Sequence, residues 1–315
     1  MQGVLDYEHG ISAVDAVYDR EMQTAVHLVV ENGRAVILDT ATVPAVPRVL
    51  EALAAKGVAP ESVDLVILTH VHLDHAGGAG ALMARCANAR LTVHPRGARH
   101  VVDPTRLLAA TVAIYGEAHA RRVYGDVLAV PAERIVETAD GATLRWQSRE
   151  FLFLDSPGHA LHHVVVRDSA SGHFFTGDTF GFSYREFDLG AKQFSFPTTS
   201  PSQFDPVALH RSIDRLMSFQ PEAVYVTHFG RIRDLARLAG DLHRLIDAHA
   251  ELGERNRDAG AARHEQLKQG ITRIVLAERE RQGWCPSPEE TLRIFALDIE
   301  LNAQGIAAWL DRRRG

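Results

Sequence analysis

The chain has 315 residues, of which 46% are hydrophobic and 23% charged, with a net charge of −6 and a pI near 6.3. That length suffices for a substantial core in one large or two smaller domains. The acidic balance gives no hint of nucleic-acid binding, which without sequence preference normally needs a basic face. No apolar run approaches the roughly 20 residues that span a bilayer, and residues 1–9 lack the pattern of a secretory signal. The two cysteines, Cys86 and Cys285, suggest no disulfide framework. A cytoplasmic protein acting on a small molecule, with no nucleic-acid or membrane partner, is the expectation.

The chain opens with strand signals. Ile11–Tyr18 alternates loosely, and the apolar runs 24–30 and 34–39 flank Glu31-Asn32-Gly33, a hairpin signal. Asp39 ends the second run, and reads equally as a carboxylate supporting a site or as a helix-entry cap. Residues 42–56 place Val46, Val49, Leu50 and Leu53 on one helical stripe, with Gly57 as its stop.

Next comes Leu65-Val66-Ile67-Leu68-Thr69-His70-Val71-His72-Leu73-Asp74-His75-Ala76-Gly77-Gly78. A short buried strand gives way to His-x-His-x-Asp-His. Imidazole and carboxylate are ligands of zinc and similar cations. Residues two apart in an extended segment share a side, so His70 and His72 can grip one ion together. Asp74 and His75 lie at the turn into a helix, where they can face a second.

A helix is expected over 79–86 and a strand over 91–94, with His94 structural. Residues 96–125 read as a largely helical insert carrying Tyr115, His119 and Tyr124; it could roof a site, though the sequence does not show it. Strand signals return at 142–146, 151–155, 163–167 and 173–176, a helix at 205–219 opened by Asp205-Pro206, and a strand at 223–227. His159, Asp178 and His228 each follow one of these strands, where loops of a sheet architecture build sites. After Gly230 the strand signals stop. Helical spacing continues over 232–252, 263–282 and 287–312, so we place a boundary near residue 230.

Together these segments resemble the binuclear branch of the metallo-β-lactamase superfamily over about residues 10–230. The resemblance implies an α/β protein with a four-layer αββα fold in residues 1–230, followed by a helical C-terminal domain, 231–315, that covers the site or binds substrate. It implies that His70, His72 and His159 hold one metal and that Asp74, His75 and His228 hold the other. Asp178 would bridge both, with Asp74, His75 and Asp178 carrying catalysis. Two divalent ions are implied, zinc by default, with iron or manganese also suited to these ligands. His163 matches a supporting histidine of the family's Pro-Gly-His-Thr-x-Gly-His pattern. Here the pattern reads Pro157-Gly158-His159-Ala160-Leu161-His162-His163, so His162 replaces a glycine; it faces substrate or is a surface residue.

The implied activity is attack of a metal-bridging hydroxide on a thioester or ester, with a glyoxalase II-like arrangement. A lactonase of this fold often has a tyrosine three residues after the bridging aspartate, where this chain has Gly181. A regulatory protein with a vestigial site is the other-class alternative. The flavodiiron oxidoreductases of the fold usually show Glu at the position of His72. The aromatic segment 179–196, with Arg185, reads either as pocket walls with an arginine for an acidic group, or as packing or a dimer interface; a homodimer stays open.

Overall fold

The structure is a computed structural model describing residues 3–199 and 203–313. Its chain forms two compact units that exchange segments. One comprises Met1–Asp155, His162–Gly177 and Val224–Arg231; the other comprises Ser156–Leu161, Asp178–Ala223 and Ile232–Gly315.

The first unit is built on two sheets. One has the order β1 (Val4–Asp6), β2 (Ile11–Asp15), β3 (Ala25–Glu31), β4 (Arg34–Leu38), β5 (Val63–Ile67), β6 (Arg90–Val93) and β7 (Ile135–Glu137). The second contains β8 (Thr143–Trp146), β9 (Arg149–Asp155), β10 (Val164–Asp168), β11 (Phe174–Gly177), β12 (Val224–Val226) and β13 (Gly230–Ile232), in the order β13-β12-β11-β10-β9-β8. The expected β3–β4 hairpin forms. Asn32 and Gly33 both adopt positive φ, 51° and 74°, as a tight turn between right-twisted strands requires.

Side-chain alternation along β4 distributes the core. Val36 and Leu38 face the second sheet, meeting Phe151, Phe153, Val166, Phe175 and Tyr225. Ala35 and Ile37 face the opposite layer, with Val49 and Leu53 of α1 (Val46–Ala55), Leu82 and Met83 of α3 (Ala79–Arg85), and Val101 of α4 (Pro95–Val102). The short helix α2 (Leu73–Ala76) precedes α3.

Strand direction decides where polar loops emerge. β4 and β5 are parallel, pairing Leu38 with Ile67, so Asp39 and Thr69-His70 leave from the same edge. β11 and β12 are also parallel, pairing Gly177 with Val226. Thr227-His228 therefore leaves β12 beside the end of β11.

The insert is three helices rather than one: α4, α5 (Thr105–Tyr115) and α6 (Glu117–Tyr124). Asp103-Pro104 separates the first two, since the residue before proline is biased away from helix, and Gly116 at φ 80° separates the others. In α6, Ala120 and Tyr124 pack on Leu73, the neighbour of Asp74, and the Tyr124 hydroxyl lies 2.7 Å from that of Tyr18. His119 is away from this contact, within 3.2 Å of Arg122, and the side chain of Tyr115 lies outside the described residues.

The second unit carries α7 (Pro206–Met217), α8 (Leu235–Arg255), α9 (Arg263–Gln282), α10 (Pro288–Ile294) and α11 (Ala296–Arg312). Asp205 caps α7 through Ala208 N at 3.0 Å, and Ser287 caps α10 through Glu290 N at 3.2 Å. The predicted stripe of α8, including Leu238, Leu242, Leu245 and Ile246, is buried. The single helix expected over 287–312 is broken at Phe295. Its buried ring inserts among Phe182, Phe187, Phe194, Phe196 and Trp284, with centroids 5.3–6.3 Å away. Strand signals do not stop at Gly230, because Gly230–Ile232 forms β13. Among the described residues, no helix is long and apolar enough to cross a membrane.

Candidate metal centre

The site in the first unit starts where β5 ends. His70 is fully buried, and its Nε2 lies 2.9 Å from His72 Nδ1. The His70 ring is 4.0 Å from that of His75 and 4.7 Å from that of His163. Both halves of the His-x-His-x-Asp-His segment therefore turn inward together. Helix α2 carries Asp74 and His75, and places them against the histidine that ends the β12 segment. Asp74, His75 and His228 offer donor atoms within 4.8 Å of one another. Asp74 Oδ2 is 3.5 Å from Nε2 of His75 and 3.5 Å from Nε2 of His228.

The other nitrogen of each imidazole sets its tautomer. His75 Nδ1 is 2.9 Å from Asp39 Oδ2, which as a carboxylate only accepts, so the proton sits on Nδ1 and Nε2 presents a lone pair. His228 Nδ1 donates to Gln23 O at 3.1 Å, with the Thr24 hydroxyl 3.0 Å away, leaving its Nε2 in the same state. Of the two readings of Asp39, the structure selects the supporting carboxylate. Its oxygens also accept from Thr69 N at 2.8 Å, the Thr69 hydroxyl and the Thr227 hydroxyl, which fastens the ends of β5 and β12 to one side chain.

His163, to which the resemblance gives a supporting role, stacks its ring 4.7 Å from that of His70. Its Nε2 would lie 2.6 Å, and Thr69 Oγ1 2.7 Å, from a Cβ at Gly177, so a residue without a side chain there permits the close approach of β11. His162 is not a surface residue. It is 8% exposed, with its ring stacked 6.2 Å from His70 and edge-on 5.6 Å from His72. His94 is structural, as expected: it caps α4 through Arg96 N at 3.0 Å and contacts Asp155 at 3.3 Å.

In the second unit, His159 Nε2 lies 3.4 Å from Asp178 Oδ2. His159 Nδ1 is held by Thr198, whose hydroxyl is 2.9 Å away and whose carbonyl is 3.4 Å away. The turn before it depends on Gly158, at φ 128°, where a Cβ would sit 2.3 Å from Leu209 N of α7. Asp205 N donates to Gly158 O at 2.8 Å and Ser212 Oγ to Pro157 O at 2.7 Å, so α7 braces the histidine.

The aromatic segment resolves toward packing. Phe180, Phe182, Tyr184, Phe187, Phe194 and Phe196 are all buried. Arg185 is turned back onto the Ser183 carbonyl at 2.6 Å and onto Asp188 at 3.2 Å. Sequence reasoning missed Gln23, Thr198 and Thr227. A backbone carbonyl carries no side-chain signature, and threonines in loops are too common to stand out.

The donor set fits divalent cations. Buried imidazoles with lone pairs turned toward one another and toward a carboxylate are costly unless a cation fills the space between them.

Residues 19–228 match a family described as the Metallo-beta-lactamase superfamily. A curated relative, the hydroxyacylglutathione hydrolase of Xanthomonas euvesicatoria pv. vesicatoria, is 30% identical over 237 residues, covering 75% of this chain and 71% of the relative. Among solved structures, a metallo-beta-lactamase family protein from Thermus thermophilus aligns with a TM-score of 0.67 at 19% identity, covering 97% of this chain and 93% of that one. An archaeal metallo-beta-lactamase superfamily protein from Sulfolobus tokodaii aligns with a TM-score of 0.59 at 17% identity, over 95% and 98% of the two chains.

Proposed function

The chain belongs to the metallo-beta-lactamase superfamily as a metal-binding hydrolase of mixed α/β fold, and from that premise we propose that it cleaves a thioester or ester at a binuclear centre. The observation that carries the proposal is the convergence of Asp74, His75 and His228, with the two imidazoles held in the metal-ready tautomer from behind by Asp39 and Gln23 O.

In this reading His70, His72 and His159 hold one ion, Asp74, His75 and His228 the other, and Asp178 bridges them. Two features support it. Gly177 is drawn in against Thr69 and His163, so the chain delivers Asp178 one residue later. Thr198 fixes His159 in the same way that Asp39 fixes His75. Two divalent ions, zinc by default, would supply acidified water and Lewis-acid polarisation of a carbonyl. The residues then divide the remaining work. Asp39, Gln23 and Thr198 accept from the outward nitrogens, so in the neutral rings the inward nitrogens are the ligand atoms.

A thiolate leaves readily, so a strong protein acid is less necessary. The name of the 30%-identical relatives supports an acylated thiol of the glutathione type as substrate, with the helical segment 231–315 binding its leaving group or covering the site. The lactonase alternative is weaker. Gly181 sits at φ 68°, where a Cβ would come 2.2 Å from Phe196 O, so the tyrosine of that reading does not fit at this position.

The test is metal analysis of the purified protein coupled to a screen of acyl-thioesters, aryl esters and lactones. About two metal equivalents and chelator-sensitive thioester or ester hydrolysis are expected. Negligible turnover of every substrate, with the protein's function surviving His159→Ala, would instead support a regulatory protein with a vestigial site.

A further inference from the structure

Outside this centre, a second group of histidines and carboxylates lies on the helical pair α7 and α8. His210 and Asp214 are one turn apart on α7, and His243 and Asp247 are one turn apart on α8. They are paired crosswise. His210 Nε2 is 3.0 Å from Asp247 Oδ1, and His243 Nε2 is 3.1 Å from Asp214 Oδ1. The two rings stack at 4.8 Å with their Nδ1 atoms 2.5 Å apart.

The tautomers decide what this arrangement needs. An ionised carboxylate only accepts, so each aspartate draws the imidazole proton to Nε2. A neutral imidazole has one N–H, which leaves both Nδ1 atoms as bare lone pairs facing each other. At that distance they repel unless a proton or a cation lies between them. A histidine whose far nitrogen donates to a carboxylate while its near nitrogen points at a partner ligand is the usual build of a metal-binding histidine, and here it occurs twice. The two carboxylates contribute two negative charges, which balance a divalent ion better than a single proton.

We propose that His210 and His243 form a separate binding site for a divalent transition-metal ion, held by the two Nδ1 atoms with Asp214 and Asp247 orienting the rings. The ion clips α7 to α8. The imidazole side chains are 25% and 29% exposed, so an ion can enter from solvent without opening the fold.

The experiment uses the untagged, zinc-loaded full chain with copper(II) as probe, because copper(II) binds imidazole sites most strongly among the divalent first-row metals. Equilibrium dialysis is expected to show that the wild-type protein retains one copper equivalent more than His210→Gln or His243→Gln. Its electron paramagnetic resonance spectrum is expected to show splitting from two imidazole nitrogens. Copper should raise the melting temperature of the wild type and of neither glutamine variant. Asp247→Asn, a change at an exposed side chain that leaves the fold intact, should keep the site with about tenfold weaker affinity. Hydrolysis at the main centre should be unchanged in all three variants. Equal copper content in the wild type and both glutamine variants, or a spectrum with a single nitrogen, overturns the proposal; the pair would then share only a proton.

Discussion

Replacing Asp39 by Asn tests how the site is built without touching a proposed ligand. Asp39 is 1% exposed and sits at φ 55°, a conformation asparagine tolerates, so the backbone is not strained by the change. The amide oxygen can keep the bond from Thr69 N, now formed to Oδ1. The amide nitrogen then occupies the position of Oδ2, facing the Thr227 hydroxyl and His75 Nδ1. The hydroxyl can rotate to accept. The imidazole accommodates a donor only by moving its proton from Nδ1 to Nε2, and that proton points at Asp74 and His228. The lone pair needed for a metal is lost. Disturbing an orienting partner of this kind typically costs 10–100-fold in metal affinity, about 1.4–2.7 kcal/mol. Competition against a chromophoric chelator should show one of the two metal equivalents weakened by that factor, with hydrolysis falling alongside. Folding should survive, with melting of the metal-free protein lowered by only a few degrees. If Asp39→Asn keeps both equivalents at wild-type affinity and full rate, the carboxylate does not set the His75 tautomer.

Asp178→Ala should lower both metal content and rate, since the proposed bridge would lose contacts to both ions; full metal and full rate would remove the bridging role. Gly158→Ala places a Cβ 2.3 Å from Leu209 N at φ 128° and should cost about 3 kcal/mol in denaturant unfolding, whereas Gly141→Ala, with open space around it, should cost about 1 kcal/mol. His27 lies buried against Phe175 and Tyr225, and burial pushes its pKa from 6.5 down to about 4. The unfolded chain takes up a proton below pH 6.5 that the folded chain refuses until about pH 4. Stability is therefore complete above pH 6.5 and falls by about 3 kcal/mol as pH drops through that window. His27→Phe should flatten that part of the stability–pH curve; an unchanged slope would mean that His27 does not stay neutral in the fold.

The legible parts of the sequence were those where one segment carries both a period and a chemistry. The His-x-His-x-Asp-His segment is short enough that its strand and turn bring His70, His72, Asp74 and His75 to one edge without help from elsewhere. The α8 stripe and the Asn32-Gly33 turn are similarly local. What stayed hidden depends on partners distant in the chain. Asp39 could not be assigned because an aspartate after a strand reads equally as a cap; only its position between Thr69, His75 and Thr227 distinguishes the two. Phe295 reads in sequence as one more helical residue, and only the rings from segment 179–196 around it explain the break. β1 and β13 have three residues each, too few to show a period. His162 reads equally as a surface residue because its packing partners, His70 and His72, lie some 90 positions earlier.

The central claim is a two-ion centre made by seven side chains. Anomalous diffraction from crystals grown with zinc tests it directly. Two peaks are expected, one ringed by His70, His72 and His159, the other by Asp74, His75 and His228, with the Asp178 carboxylate touching both. A single peak, or peaks that leave Asp178 without a contact, would contradict the account.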